Sequence, residues 1–357
     1  MSDFSKSRLV GLDIARSIAI LAVVLAHTRY LLDAPGRYEF LSLSGKIGVE
    51  LFFVLSGFLI GSILLRSFEE SLSFRMLVRF WSRRWLRTLP AYFAVLIFIW
   101  LVFDRFDLLY FLFLQDLVVG DWDLLPVSWS LVIEEWFYLL FAPLCLILMR
   151  YSLRWGFLAA SVLLLLSGVV LLSGDYAACV DADRPLKCFE NDIRKFTFRF
   201  TSLGLGTTLA WVNYYHNLPR LLEGRRLLLL VTTLLVHAFM FWFCGSVVLD
   251  YPGVVNPTLG FLFFYPAMGF ASLLLIMLLY VWQPRLSPWV AAPVSFVSLT
   301  SYSNYLWHLL INEQMRGMEM NQYLLVLLFL IATLIVSAVS YLLVEKPFMG
   351  LRNRFFP

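Results

Sequence analysis

Charged residues are scarce in this sequence, and their scarcity decides the class of protein. Lys, Arg, Asp and Glu make up 15% of the 357 residues. About a quarter is usual for a soluble domain. Hydrophobic residues make up 61% and the mean hydropathy is +0.81. So few charges cannot cover a globular surface, so an ordinary soluble protein is excluded and lipid must surround most of the chain.

Cysteine is scarce as well. The four cysteines are too few for a disulfide scaffold and too scattered for a metal site, so we expect neither a metal nor a permanently bound cofactor. Cys179 and Cys188 share one polar loop. They form a small disulfide if that loop is extracytoplasmic, or they are two unrelated thiols. No internal repeat, low-complexity tract or fused soluble segment stands out, so we expect one membrane domain over 1–357.

Long apolar runs are what the sequence has in abundance. A helix of about 20 apolar residues crosses a hydrocarbon core of ~30 Å. Such runs predict an all-α, polytopic bundle of about ten transmembrane helices. The expected spans are near 12–32, 46–65, 88–103, 128–149, 155–173, 196–213, 227–249, 257–282, 289–312 and 322–344. The first is too long for a signal peptide and lacks a cleavage site, so it should remain as a span.

The distribution of charge predicts the orientation. The net charge is +4, but the basic residues cluster in alternate connections between spans and the acidic residues in the others. This positive-inside pattern places both termini in the cytoplasm and argues against nucleic-acid binding. The segment 105–125 is short, partly apolar and flanked by Asp, so we predict an interfacial or re-entrant piece that helps to shape an outer cavity.

Three ionisable residues lie in the first predicted span. Asp13, Arg16 and His27 fall near one helix face, with ~16 Å of rise between Arg16 and His27. Charged groups inside a bilayer are costly, so each is a candidate for function. Arg16 either contributes to a site or snorkels to the headgroups. His27 either acts as a general base or is a hydrogen-bonded core residue, and its position on the face of Arg16 favours the base.

Two carboxylates enter the fourth predicted span. Glu134 and Glu135 lie about two turns inside it, nearly at the depth of His27. A carboxylate there is suited to orienting His27 or to holding an acceptor hydroxyl, so both join His27 as catalytic candidates. The alternative is that one of them pairs with a structural arginine such as Arg199.

The ninth predicted span repeats the pattern. Ser301, Tyr305 and His308 fall on one helical face, with His308 near the outer end. Three helices would then bring titratable groups to a similar depth. The alternative is a polar packing seam between helices.

Arginines interleaved with aromatic residues precede the third predicted span. Arg83, Arg84 and Arg87 alternate with Trp81 and Trp85. Positive-inside topology explains some of these arginines, but the set is also suited to a phosphorylated, nucleotide-like donor.

In the second span, small residues permit close helix approach and Glu50 adds a buried charge. The small residues are Gly45, Gly48, Ser56, Gly57 and Gly61.

These motifs together resemble the acyltransferase 3 family of bacterial membrane proteins over about 9–348. Five blocks match in order, and Ile14 stands where the family often has Gly. The blocks are Leu12 and Asp13 with Arg16 and His27, FFVLSGFLI at 52–60, Arg84 with Arg87, WSLVIEEWFY at 129–138 and SYSNYLWH at 301–308.

The resemblance implies an enzyme of the bacterial inner membrane that moves an acyl group, usually acetyl, from acyl-CoA to a hydroxyl of a carbohydrate. It implies that His27 is the base and that Arg16, Arg84 and Arg87 bind the donor. We assign a supporting or acceptor-side role to Asp13, Ser301, Tyr302, Tyr305 and His308. O-antigen, capsule, exopolysaccharide and peptidoglycan all remain open as acceptors, as does the need for a separate periplasmic partner.

Two other functions compete with the enzyme. Ten helices with charges inside the membrane would equally suit a transporter or exporter of a sugar or small acid, although no inverted repeat is evident. A non-catalytic assembly protein is disfavoured, because binding alone gives no reason to sustain titratable groups on three buried helices.

Overall fold

The computed structural model describes residues 9–32, 40–118, 123–179, 199–248 and 257–356. Within these ranges the chain consists of helices and their connections, without a strand. The predicted class, an all-α polytopic membrane protein, is confirmed. The side chains of 116–117, 172–179, 247–248 and 257–262 are outside the description.

The first half of the chain contains seven described helices. They are α1 (Val10–His27), which continues into a 3₁₀ turn (Thr28–Leu31), α2 (Phe40–Glu70), α3 (Phe74–Phe103), the short α4 (Leu108–Phe111) and α5 (Gln115–Val118), α6 (Ser128–Leu148) and α7 (Leu153–Cys179).

The second half also contains seven described helices. They are α8 (Phe200–His216), the short α9 (Leu218–Leu221), α10 (Arg226–Val248), α11 (Pro257–Trp282), α12 (Pro288–Met315), α13 (Gln322–Ser340) and α14 (Lys346–Phe355). A π-helical turn, Tyr341–Glu345, joins α13 to α14.

Eight helical segments in the described part of the chain are long and apolar enough to cross a membrane. The two other predicted spans, 196–213 and 289–312, correspond to α8 and α12. Helix α8 has 17 residues, and α12 carries many buried polar side chains, which lower its hydropathy. The exact number of crossings and the cytoplasmic location of both termini stay predictions.

Helix α3 is longer than the span predicted at 88–103. It begins at Phe74, after Ser73, whose hydroxyl accepts a hydrogen bond from the Met76 amide, and it ends before Asp104 in a left-handed conformation with φ of 53°. Arg83, Arg84 and Arg87 precede the predicted span, as expected, but they already belong to the helix, and their location at the cytoplasmic surface stays a prediction. Arg and Trp are compatible with a helix, and Pro90, which lies inside α3, does not end it.

Small residues allow α1, α2 and α8 to approach closely. A Cβ atom on Gly48 would lie 2.6 Å from the Ala19 carbonyl oxygen, and one on Gly57 would lie 2.2 Å from that of Leu203. Side chains at these positions would hold the backbones apart. The predicted role of the small residues in α2 is confirmed, and α2 forms the centre of the bundle.

The outer surface of the bundle is apolar. Leu101, Leu227 and Leu343 are each more than 70% exposed. Lipid tails solvate such side chains as well as a protein interior does, whereas water would not. The exposed leucines are the faces that a bilayer covers.

The segment predicted to be interfacial folds back against the bundle. The Tyr92 hydroxyl donates to the Tyr110 carbonyl at 3.0 Å, and the Trp136 indole donates to the Phe113 carbonyl at 3.1 Å. These bonds attach α4 and the following turn to α3 and α6. Arg105 and Asp123, near the two ends of the segment, line a cavity, and its location on the outer side stays a prediction.

Candidate active site

Helices α1 and α12 run side by side in the same direction. Near the start of α1, the Ser298 hydroxyl donates to Asp13 at 2.6 Å. At the end of α1, the rings of His27 and His308 lie 4.8 Å apart between centroids. Between these ends of α1 the Ser17 hydroxyl donates to the Val294 carbonyl at 2.9 Å, so α12 contacts the polar face of α1 near its start and at its end. We call the end of the bundle with His27 and His308 the histidine end.

Arg16 is held within the bundle. Its Nη1 lies 3.4 Å from Asp13 Oδ1 and donates to Ser298 Oγ at 3.1 Å. The side chain lines two internal cavities. These contacts favour a role inside the bundle over snorkelling to the headgroups.

The hydrogen bonds of the two histidines determine their tautomers. His308 is buried, and its Nδ1 lies 3.1 Å from the Asn304 carbonyl and 2.9 Å from the Tyr305 carbonyl. Carbonyl oxygens only accept, so Nδ1 of His308 carries the proton and its Nε2 is an acceptor. That Nε2 lies 3.2 Å from His27 Nδ1, which in turn lies 2.8 Å from the Val23 carbonyl. His27 therefore donates from Nδ1 and carries its lone pair on Nε2.

Further contacts fix the position of His27. The Asn312 amide donates to the His27 carbonyl at 3.0 Å. The hydroxyls of Tyr305 and Ser130 lie 2.6 Å apart, and the Tyr305 ring packs beside His308. A neutral imidazole held by two neighbours, with its basic nitrogen defined, is the arrangement that a general base requires.

The two glutamates bind groups on α2 and α3. Glu134 accepts from the Ser56 hydroxyl at 2.8 Å and the Tyr138 hydroxyl at 2.5 Å, and it pairs with Arg84 at 3.6 Å. Glu135 accepts from Thr88 and Trp85, both at 3.1 Å.

The expectation that a glutamate orients His27 is therefore not met. Ser130, near the start of α6, bonds to Tyr305. Glu134 lies one turn further along the helix, ~6 Å deeper, and its carboxylate meets Arg84. The side chain that bonds to the His27 ring is that of a second histidine, His308. The sequence predicted the depth of His308 but not this contact.

Glu50 forms the structural ion pair that was considered for a glutamate of α6. The Arg199 guanidinium and the Ser202 hydroxyl both donate to Glu50, and all three residues are buried. Arg199 also lies over the Tyr265 ring at 3.6 Å. The pair connects α2 to the start of α8.

The arginines of α3 gather with others at the opposite end of the bundle. Arg84 stacks over Tyr138 at 4.7 Å and donates to its hydroxyl at 2.5 Å. Arg83 donates to the Phe356 carbonyl. Trp81 and Trp85 stack on each other at 6.0 Å, and their N–H groups donate to Tyr138 and Glu135 on α6. The tryptophans thus pack α3 against α6, and the arginines line a cavity.

Three adjoining cavities follow the bundle. The arginine cavity, of about 320 Å³, is lined by six arginines. The central cavity, of about 280 Å³, shares Arg84 and Arg87 with it. The histidine cavity, of about 570 Å³, shares Val49 and Tyr305 with the central one and contains His27. The arginine cavity and His27 therefore lie at the two ends of a row of adjoining cavities, which we call the path.

The polar face predicted on α12 lines this path. Ser301, Tyr302 and Tyr305 border the central cavity. The Tyr302 hydroxyl donates to the Thr88 carbonyl at 3.0 Å and Ser301 to that of Ser298 at 2.9 Å. Residues of this face thus serve both as a packing seam and as a cavity wall.

Sequence reasoning missed Glu345. It ends the π-helical turn, accepts a hydrogen bond from Ser303 and lines a fourth cavity of about 470 Å³ together with Arg16 and Arg87. The predicted last span stopped one residue earlier, at 344, so the carboxylate was treated as part of the tail. A π-helical turn often marks a functional position, but it leaves no signal in a hydropathy pattern.

The possible disulfide is outside the description. Helix α7 ends at Cys179, whose side chain is not described, and Cys188 lies outside the described residues. Cys145 and Cys244 are buried free thiols.

Comparison with known proteins agrees with the motifs. A family model for an acyltransferase domain matches residues 9–345. A putative peptidoglycan O-acetyltransferase of Bacillus subtilis, YrhL, is 29% identical over 94% of this chain and 54% of its own length. The peptidoglycan O-acetyltransferase OatA of Listeria monocytogenes is 27% identical over 96% of this chain and 56% of its own.

A putative O-acetyltransferase of Staphylococcus aureus is 24% identical, over 97% of this chain and 58% of its own length. The chain thus spans a little over half the length of these relatives. No solved structure matches. The family model covers nearly all of the sequence and includes every motif described above, so the chain belongs to the acyltransferase 3 family.

Proposed function

We propose that this protein is an O-acyltransferase of the bacterial inner membrane. It takes an acyl group, usually acetyl, from cytoplasmic acyl-CoA and transfers it to a hydroxyl of a cell-envelope glycan on the outer side. The observation that carries the proposal is the path between the arginine cavity and His27. The names of two relatives, both peptidoglycan O-acetyltransferases, favour peptidoglycan as the acceptor.

The donor binds at the arginine end. Guanidinium groups bind phosphate oxygens through paired hydrogen bonds and stay charged inside a protein. Arg83, Arg84 and Arg87 line the arginine cavity, and Arg16 lines the central one. The CoA head occupies the first cavity, and its acyl arm enters the second.

The base works at the histidine end. His27 Nε2 removes the proton from the acceptor hydroxyl as its oxygen attacks the thioester carbonyl carbon. A C–O bond forms, the C–S bond breaks, and the imidazolium returns the proton to the CoA sulfur. The Val23 carbonyl and His308 Nε2 both accept from His27 Nδ1 and so keep the lone pair of the base on Nε2. The products are an ester and CoA.

The cavity at His27 supports a polar acceptor. Backbone and side chains of α1, α2, α6 and α12 surround a space of about 570 Å³, which is within the range of cavities that hold small ligands. Arg29, Lys46 and Arg316 contribute hydrogen-bond donors to its wall. Sugar hydroxyls and carbonyls are suitable partners for such donors.

Sealed inverted membrane vesicles test the direction of transfer. Labelled acetyl-CoA is added outside, where the cytoplasmic face is exposed, and label is then measured on glycan enclosed in the lumen. We expect lumenal ester label that depends on the protein and needs no detergent. Movement of a sugar across the membrane without any consumption of acyl-CoA would instead identify an exporter, to which an internal path is equally suited.

A further inference from the structure

The arginine cavity has more cationic groups than the family motif supplies. Three helices contribute to its wall, and Glu70 is the one acidic residue among the described residues that line it. The arginines are Arg66 on α2, Arg79, Arg83, Arg84 and Arg87 on α3, and Arg352 on α14.

These arginines divide into two groups along α3. Arg84 and Arg87 also line the central cavity, whereas Arg79 and Arg352 line only the arginine cavity. Arg79 precedes Arg87 by eight residues, which is ~12 Å along a helix. Arg84 and Arg87 therefore lie where the path begins, and we call the part of the arginine cavity that Arg79 and Arg352 line, outside the central cavity, the rim.

Contacts of the last helix hold Arg352 at this rim. The Arg83 guanidinium donates to the Phe356 carbonyl, at the end of α14. At the other end, Ser303 donates to Glu345, in the turn that precedes α14. Nε and Nη2 of Arg352 donate to the neutral Asn353 side chain at 3.1 and 2.9 Å. Asn353 thus orients the Arg352 guanidinium, and because its amide is neutral it does not neutralise the positive charge of Arg352.

The arginines at the rim, Arg79 and Arg352, have no carboxylate partner among the described residues, and neither has Arg83. The positive-inside rule explains how many arginines this face carries, but not their convergence on one cavity. Gathering like charges costs electrostatic free energy, which a bound polyanion offsets.

We propose that the arginine cavity contains two phosphate subsites. Arg84 and Arg87 bind the pyrophosphate of CoA, next to the path that receives the acyl arm. Arg352 and Arg79 bind the ribose 3′-phosphate, which lies on the adenosine side of the pyrophosphate, away from the thioester. Helix α14 is then a specificity element of the donor site. This inference rests on the proposed function, because it takes acyl-CoA as the donor.

A pair of donors that differ by one phosphate tests the second subsite. The full chain is placed in nanodiscs of zwitterionic lipid, and its affinity for acetyl-CoA and for acetyl-dephospho-CoA, which lacks the 3′-phosphate, is measured. We expect the wild type to prefer acetyl-CoA about tenfold, the effect of one charged hydrogen-bonding contact. Arg352→Ala should lose about tenfold for acetyl-CoA and remain within about twofold for the dephospho donor.

Arg354→Ala is the matched control, because Arg354 is an exposed arginine of the same helix that does not line the cavity. It should keep the full preference. Equal wild-type affinity for both donors, or an equal loss with both in Arg352→Ala, would overturn the 3′-phosphate subsite and leave acyl-CoA as the donor. If the wild type bound neither molecule, the proposed donor itself would be wrong.

A phosphate that binds at the rim can also belong to a lipid headgroup and not to CoA. The measurement is repeated in nanodiscs that contain anionic phosphatidylglycerol. If the 3′-phosphate is the ligand, the tenfold difference between the donors persists in both membranes. If Arg352→Ala changes only the competition by anionic lipid and not the preference between donors, the rim binds lipid and the inference is overturned.

Discussion

Nε2 of His308 lies 3.2 Å from Nδ1 of His27. Because His308 gives its own Nδ1 proton to two backbone carbonyls, its Nε2 accepts from His27. In serine hydrolases a carboxylate holds the catalytic histidine in the required tautomer. Here the imidazole of His308 occupies that position beside His27, the proposed base.

The first prediction concerns His308 as a positioning residue. His308→Leu removes one of the two acceptors for His27 Nδ1 and leaves the Val23 carbonyl at 2.8 Å, so we expect kcat to fall about tenfold, the effect of one hydrogen bond. The KM for acetyl-CoA should not change, because His308 lies at the end of the path remote from the arginine cavity, where the donor head is proposed to bind. His308→Gln, whose amide oxygen still accepts, should recover part of the activity. Steady-state kinetics that show a raised KM, or the same loss in both variants, would indicate a structural role.

The second prediction separates Glu134 from the base. Glu134 pairs with Arg84, so Glu134→Gln should loosen the guanidinium and raise the KM for acetyl-CoA about three- to tenfold. We expect kcat to change by less than about twofold, since the chemistry at His27 is intact. A large fall in kcat at constant KM would restore the earlier idea that Glu134 assists His27.

The third prediction concerns the buried pair of Glu50 and Arg199. Glu50→Leu or Arg199→Met alone leaves a charge without its partner and should cost about 3–5 kcal/mol of stability. The double variant removes both charges, so its thermal unfolding midpoint should exceed that of either single variant. A double variant that is less stable than both would mean that the pair is not the unit of stabilisation.

The fourth prediction concerns the crossing of α2 and α8. A Cβ atom on Gly57 would lie 2.2 Å from the Leu203 carbonyl oxygen, so Gly57→Ala should lower the thermal unfolding midpoint by forcing the helices apart. Gly245→Ala is the control, because a Cβ atom there meets nothing within 4 Å. Equal midpoints for the two variants would show that the crossing adjusts without cost.

The helical class and most of the polar face could be predicted from the sequence. Apolar runs imply spans whatever the partner helix is, and the spacing of Arg16 and His27 fixes their common face. The face shared by Ser301, Tyr305 and His308 follows from the same periodicity. These are local properties, so a single helix is sufficient to predict them.

The sequence did not predict which side chains meet between helices. Glu134 was placed correctly along α6, but its partner depends on how α6 turns toward α3, which a periodicity does not give. The same limit hid the contact of His27 with His308 and the pairing of Glu50 with Arg199. Glu345 was missed because the predicted span ended at 344 and a π-helical turn leaves no signal in a hydropathy pattern.

The central claim is that His27 is the base of an acyl transfer, and His27→Ala tests it most directly. Label is followed from acetyl-CoA to a glycan extract with purified protein, beside His237→Ala. His237 is a second histidine inside a span that bonds to the Thr233 carbonyl of its own helix, so its removal controls for the loss of any intramembrane imidazole. We predict a loss of about 10²- to 10⁴-fold for His27→Ala and full transfer for His237→Ala. Unchanged turnover in folded His27→Ala protein would contradict the mechanism.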